Sequence, residues 1–169
     1  MKKKIIYGTI FELIVGTLLH FTYEWSGNNP IVGAFSAVNE STWEHLKLVF
    51  FPMLIITILG YFLTKNSRYL CVRTLGIVTS ILFIIIFFYT YTGIIGTNFA
   101  FLDIGSFFVS IILGEYISYK YMISDNRCNK PTAIAILTVL TIAFITFTYI
   151  TPQIGLFKDP VNNQYGIIK

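Results

Sequence analysis

Two histidines and a handful of acids carry the concentrated chemistry of this chain. His20 and Glu24 stand four residues apart, a spacing that puts two side chains on one face of a helix within reach of one metal ion. A second group follows in Asn39-Glu40-Ser41-Thr42-Trp43-Glu44-His45-Leu46-Lys47, and Asp103 stands alone further on. Imidazole nitrogens and carboxylate oxygens in a water-poor layer are the donors a divalent metal takes, zinc foremost, with one position left for water where the site is catalytic. On this reading His20, Glu24, His45 and Asp103 are candidate metal ligands, with Glu44 or Glu40 also able to complete the shell, and Glu44 or Glu40 is the general base. Plainer roles compete with it. Ser41-x-x-Glu44 is a capping box, in which the serine takes a first-turn N–H and the glutamate folds back onto the N–H of Ser41. Glu40 sits where a helix dipole favours an anion, and Glu24, Asp103 and Asp159 suit a wet interface.

The elements that must position these groups are transmembrane helices. The 169 residues are 55% hydrophobic and 12% charged, and the mean hydropathy is +0.72. In lipid every backbone polar group must be satisfied internally, so long apolar runs mean helices, and the alternation of a barrel strand is missing. The expected fold is all-α: one five-helix transmembrane domain over 1–150, with spans at 5–23, 41–63, 70–91, 101–121 and 132–150. Asn28-Asn29-Pro30 starts a half-helix over 30–38, too short to cross and therefore interfacial or re-entrant. Residues 151–169, with two prolines, two glycines and paired asparagines, read as an irregular strap. The opening Lys2-Lys3-Lys4 and apolar run resemble a signal peptide, but the run is long, carries Glu12 and lacks a small-x-small cleavage site, so it reads as an uncleaved first span.

With the N-terminus in the cytoplasm, Lys2, Lys3, Lys4, Lys65, Arg68, Arg73, Lys120, Arg127 and Lys130 gather inside, while Lys47, Lys158 and Lys169 lie outside. Glu24, Glu40, Glu44, Asp103 and Asp159 gather at the outer face, and Asp125 lies in an inner loop. A cytoplasmic-membrane protein with its N-terminus inside and its strap outside is therefore expected. The net charge of +4 belongs to this pattern beside anionic lipid, and no nucleic-acid partner is implied. Cys71 and Cys128 fall on the inner side and imply no disulfide framework.

At 1.5 Å per residue His20 lies about 24 Å along the first span from Lys4, near the outer boundary, at the same depth as His45. Glu12 lies only about 12 Å in, and Glu115 is likewise inside the hydrocarbon, where an ionised group costs about 2.5–3.5 kcal/mol on insertion scales. Arg73 is the expected counter-ion of Glu115, the alternative being a proton-carrying Glu115 carboxyl. Glu12 has no evident counter-ion, so it is expected to carry a proton or to hydrogen-bond Thr79, Ser80, Ser106 or Ser110, which makes it the leading proton-relay candidate.

The run from Asn39 to Lys47, with His20-Phe21-Thr22-Tyr23-Glu24-Trp25-Ser26-Gly27 before it, resembles a small bacterial integral-membrane family of unknown function. Tyr89-Thr90-Tyr91-Thr92-Gly93 and Leu156-Phe157-Lys158-Asp159-Pro160 with Tyr165-Gly166 extend the resemblance over essentially the whole chain. It implies five helices and no activity. Three functions stay open. The first is a metal-dependent hydrolase acting on a lipid or other amphiphile that enters from the outer leaflet. The second is an oligomeric proton-coupled or cation transporter. The third is a membrane scaffold whose outer polar face binds a partner.

Overall fold

The computed structural model describes residues 2–124 and 128–167, with the side chains of residues 2–4 left aside. Asp125, Arg127 and Lys169, and the side chains of Lys2, Lys3 and Lys4, all used in the charge count, lie outside the described residues. Six α-helices are present among those described: α1 Lys2–Trp25, α2 Pro30–Gly33, α3 Thr42–Thr64, α4 Ser67–Ile95, α5 Ala100–Met122 and α6 Lys130–Tyr149. Five of them are long and apolar enough to cross a membrane, which agrees with the expected all-α bundle.

The bounds follow local chemistry. The Asn66 side chain caps α4 by accepting the Arg68 N–H at 2.9 Å, and the helix runs seven or more residues longer than a bare crossing needs before Gly96 ends it at φ +84°. α2 is a single turn, capped by Asn29 and started by Pro30. The half-helix expected over 30–38 therefore stops at Gly33, and 34–41 is irregular. The tail contains a short 3-10 turn, Gly155–Phe157, and closes on itself through a bridge between Lys158 and Tyr165.

α3 and α4 form the centre of the bundle, and Leu46, Val49, Phe50, Met53, Ile77 and Ile111 are among its most buried side chains. α4 and α5 make the most extensive helix pair. They approach through Gly76 and Gly114: a Cβ on Gly76 would stand 2.5 Å from the Gly114 carbonyl oxygen, so only glycine permits this crossing. Ser80 Oγ donates to Ser110 O at 2.8 Å and Ser118 Oγ to Val72 O at 3.1 Å across the same seam. The hydroxyl of Ser80, one of the partners proposed for Glu12, is thus used here.

Cys71 and Cys128 are joined in a disulfide, with Cα atoms 5.8 Å apart, which corrects the expectation that no disulfide forms. The two thiols meet because α4 and α6 begin at the same end of the bundle. Disulfides persist in oxidising compartments, whereas the orientation expected from the charge bias would put this end in the cytoplasm. With the base-rich end cytoplasmic, both thiols are expected to be reduced in living cells and to oxidise during purification. Alkylation under acid quench before lysis checks this, and a pair fully protected from the reagent in cells would reverse the assigned orientation.

Candidate metal centre

Three side chains from three stretches of chain meet at one end of the bundle. His20 comes from the last turns of α1, His45 from the first turn of α3, and Glu40 from the irregular segment before it. Fully buried Ser36 ties that segment to α1: its hydroxyl accepts the Tyr23 N–H and the Thr22 hydroxyl, both at 3.0 Å, and donates to the Leu19 carbonyl. Ser41 caps α3 by accepting the Glu44 N–H at 3.4 Å. The chain entering α3 is thereby fastened to the helix that carries His20.

His45 Nε2 lies 3.4 Å from His20 Nε2 and 3.4 Å from Glu40 Oε2, and His20 Nε2 lies 3.7 Å from the same oxygen. A tetrahedral zinc with ligands about 2.0–2.1 Å away spaces those ligands about 3.3–3.4 Å apart. The triangle is therefore close to one face of a zinc tetrahedron, and these three residues form a group able to hold a metal ion. The tautomer supports it. His45 Nδ1 sits 3.1 Å from the Ser41 carbonyl, which can only accept, so Nδ1 carries a proton and Nε2 turns toward Glu40. A carboxylate also only accepts, so either a second proton or a metal ion must stand between His45 Nε2 and Glu40. In the metal-free protein the hydrogen bond from His45, reinforced by the charges of His45 and His20, holds the Glu40 carboxyl below the usual carboxylate range, against the opposing effect of partial burial.

The triangle borders a cavity of about 420 Å³ whose walls include Leu48, Ile84, Phe88, Ile104 and Phe107. The lining is largely apolar, with His20, Glu40, His45 and Asn98 among its polar groups. Asp103 lines the same cavity, where its carboxylate accepts the Tyr91 hydroxyl and, at 3.3 Å, an N–H of the Asn98 side chain. Pro160 and Val161 of the tail complete the rim.

The chain belongs to DUF6512, a family of unknown function. The family model matches residues 1–167. No curated protein matches the chain, and no solved structure does. For this DUF6512 member, what the site can do is therefore read from its residues.

The remaining expected site residues are distributed differently. Glu24 is exposed one turn beyond His20 and stands outside the group of three. Asp103 shares the cavity without joining that group. Glu44 faces away from the cavity and is almost fully buried. Lys47 Nζ lies 2.5 Å from Glu44 Oε2, the Val38 N–H donates to the same oxygen at 3.1 Å, and the Thr148 hydroxyl lies 3.3 Å from Oε1. The expected fold-back of Glu44 onto the Ser41 N–H is corrected here, because that N–H goes to Asn39 Oδ1 at 2.8 Å. Glu12 does have a counter-ion, contrary to expectation. Arg73 Nη2 donates to Glu12 Oε1 at 2.5 Å, and the same guanidinium meets Glu115 as expected.

Two residues not assigned a site role turn out to support Glu40. Buried Asp159 accepts the Glu40 N–H at 3.3 Å and the Val161 N–H at 2.7 Å. The Asn39 side chain donates to the Gly166 carbonyl at 2.7 Å. The strap thus braces the ligand segment. The clustering of acids at one face pointed to Asp159, and the family-like runs of the tail contained both Asp159 and Gly166 without giving either a role.

Proposed function

We propose that this protein is a divalent-metal hydrolase of a lipid or other amphiphile, with His20, Glu40 and His45 as metal ligands. The observation that carries the reading is the triangle of ligand atoms, with edges of 3.4, 3.4 and 3.7 Å, opening onto an apolar cavity. Zinc is the favoured ion, since two imidazoles and a carboxylate with one open position form a donor set that zinc hydrolases use. An ion held by His20, Glu40 and His45 would supply Lewis acidity toward a carbonyl and a water whose pKa is lowered to about 7.

The chain's own groups do the rest. His45 is held to one tautomer by the Ser41 carbonyl. Asp103 takes the proton from water, a role supported by its place in the cavity wall and by the Tyr91 and Asn98 donors that fix its orientation. Glu44, occupied by Lys47, Val38 and Thr148, positions the ligand segment and is not the base. The apolar walls take the substrate's chain, so that its linkage to the head group lies beside His20, Glu40 and His45.

Elemental analysis of detergent-purified, untagged protein without added metal tests the reading. Near-stoichiometric zinc, together with release of fatty acid from acyl ester or amide lipids in mixed micelles, is the expected result. Protein that holds no metal and binds none on titration would remove it.

The transport reading draws on a different observation, the buried charges around Arg73.

A further inference from the structure

Well away from the histidines, three helices bring charge to one point. Arg73 is six residues into α4 from Ser67, Glu115 seven residues from the end of α5 at Met122, and Glu12 seven residues beyond Ile5 in α1. At 1.5 Å per residue all three lie about 10 Å from the base-rich end, well within the span. Glu12 is 0% exposed, Arg73 3% and Glu115 6%.

All three nitrogens of the guanidinium are engaged. Nη2 donates to Glu12 Oε1 at 2.5 Å, Nη1 meets Glu115 Oε1, and Nε donates to Thr57 Oγ1 at 3.2 Å. The surroundings add no compensating charge among the described residues. α3 supplies the Thr57 hydroxyl and the Met53 carbonyl, and α4 supplies Tyr69, whose hydroxyl donates to the Ile56 carbonyl at 3.4 Å. Two carboxyls therefore face one cation. Arginine does not give up its proton in proteins, so with both acids ionised the unit would hold an uncompensated negative charge in the hydrocarbon region. Glu12 Oε2 is buried and without a hydrogen-bond partner, the position in which such a charge would be least tolerated.

We infer that Glu12, Arg73 and Glu115 form an intramembrane proton-binding site, in which the two carboxyls share one exchangeable proton at neutral pH. A metal cation does not suit the same place, because the guanidinium occupies its centre. Two carboxyls on one arginine behave as a coupled pair, so the proton belongs to the unit and not to either acid alone. Glu12 stands one turn below Gly16, a residue of the cavity wall, about 6 Å along α1, which brings the site near that cavity, from which a proton can exchange. The inference is independent of the metal reading and survives its failure.

Infrared spectroscopy of the full-length protein in lipid vesicles, in H2O and in D2O at neutral pH, tests it. The parent is expected to show the C=O band of a protonated carboxylic acid that moves to lower frequency in D2O within minutes. Glutamate labelled with ¹³C at the carboxyl should shift that band, which assigns it to glutamate on the parent alone. In Glu12→Gln, and separately in Glu115→Gln, the band should vanish, because the one remaining carboxylate is neutralised by Arg73. A parent with no such band, a band that survives both substitutions, or a band unmoved after hours in D2O would overturn the inference.

Discussion

Zinc affinity is expected to fall more than about a hundredfold in His45→Ala and in His20→Ala, and to stay unchanged in Glu24→Ala. Loss of an outer partner of a metal ligand already costs about 10–100-fold, so loss of the ligand itself must cost more. Competition with a chromophoric chelator in detergent measures it. Glu24 serves as the control because it shares a helix face with His20 but stands a turn beyond the triangle. Asp103→Asn separates the remaining roles: it should leave zinc bound and remove turnover. A variant that loses the metal would make Asp103 a fourth ligand. Acidification gives a second handle. Protons compete with metal for its imidazole ligands, so acid should release the ion. The hydrogen bond from His45 holds the Glu40 carboxyl below the usual carboxylate range, which favours its ionised, ligating form. The same sign applies to folding of the metal-free protein. A depressed carboxyl contributes stability that is present above its unfolded-state pKa of about 4.3 and is lost as the pH falls through the lower folded value. Zinc binding indifferent to acidification would contradict the assignment of both histidines.

The common depth of the two histidines was legible because helix rise converts residue number into distance, and that count brought His20 and His45 to one layer. The choice of carboxylate was not legible in the same way. Helical periodicity favoured Glu24, which follows His20 by one turn. The ligand geometry instead goes to Glu40, on a segment that has no period because Ser36, Asn39 and the strap shape it through single hydrogen bonds. Glu44 shows how a local motif can mislead. The capping box accounts for the Ser41 end of the interaction, but the glutamate's partner is Lys47, one turn further along the same helix, together with a backbone N–H that lies before the cap.

The fold divides along a similar line. That there are five spans follows from the need to satisfy backbone groups in lipid, which long apolar runs announce on their own. Which spans touch is harder, since lipid is as apolar as a packed core, and a helix facing lipid has nearly the composition of one facing its neighbours. The most apolar window of α1 has a hydropathy of 1.6 and is 11% buried, while that of α3 has 2.2 and is 50% buried, a modest difference in composition for a large one in environment. Polar residues identify partners better. Arg73 was assigned to Glu115 from depth alone, and the same argument extends to Glu12 once α1 is known to pack against α3 and α5 near that level.

Lys47→Met should cost about 3–5 kcal/mol of stability, the usual penalty for stripping one partner from a buried ion pair. All three ammonium protons of Lys47 are used: Nζ lies 2.5 Å from Glu44 Oε2 and donates to the Gly33 carbonyl at 2.8 Å and to Thr148 Oγ1 at 2.9 Å. With Lys47 fully buried, methionine keeps most of the volume, so the loss reports charge and hydrogen bonds rather than a cavity. Glu44 would be left ionised against one N–H and one hydroxyl, or would take up a proton. Combining the change with Glu44→Gln removes the stranded charge and should restore part of the loss, and the size of that recovery measures the coupling between the pair. The consequence reaches the metal centre. Lys47 holds Gly33 and Glu44 holds Val38, on either side of the turn that leads into Glu40, so loosening the pair should weaken zinc binding although neither residue is a ligand. Thermal unfolding in detergent, with and without zinc, reads both effects on one sample. A Lys47→Met protein within about 0.5 kcal/mol of the parent, the range of ordinary surface changes, would show that the pair does not hold this segment in place.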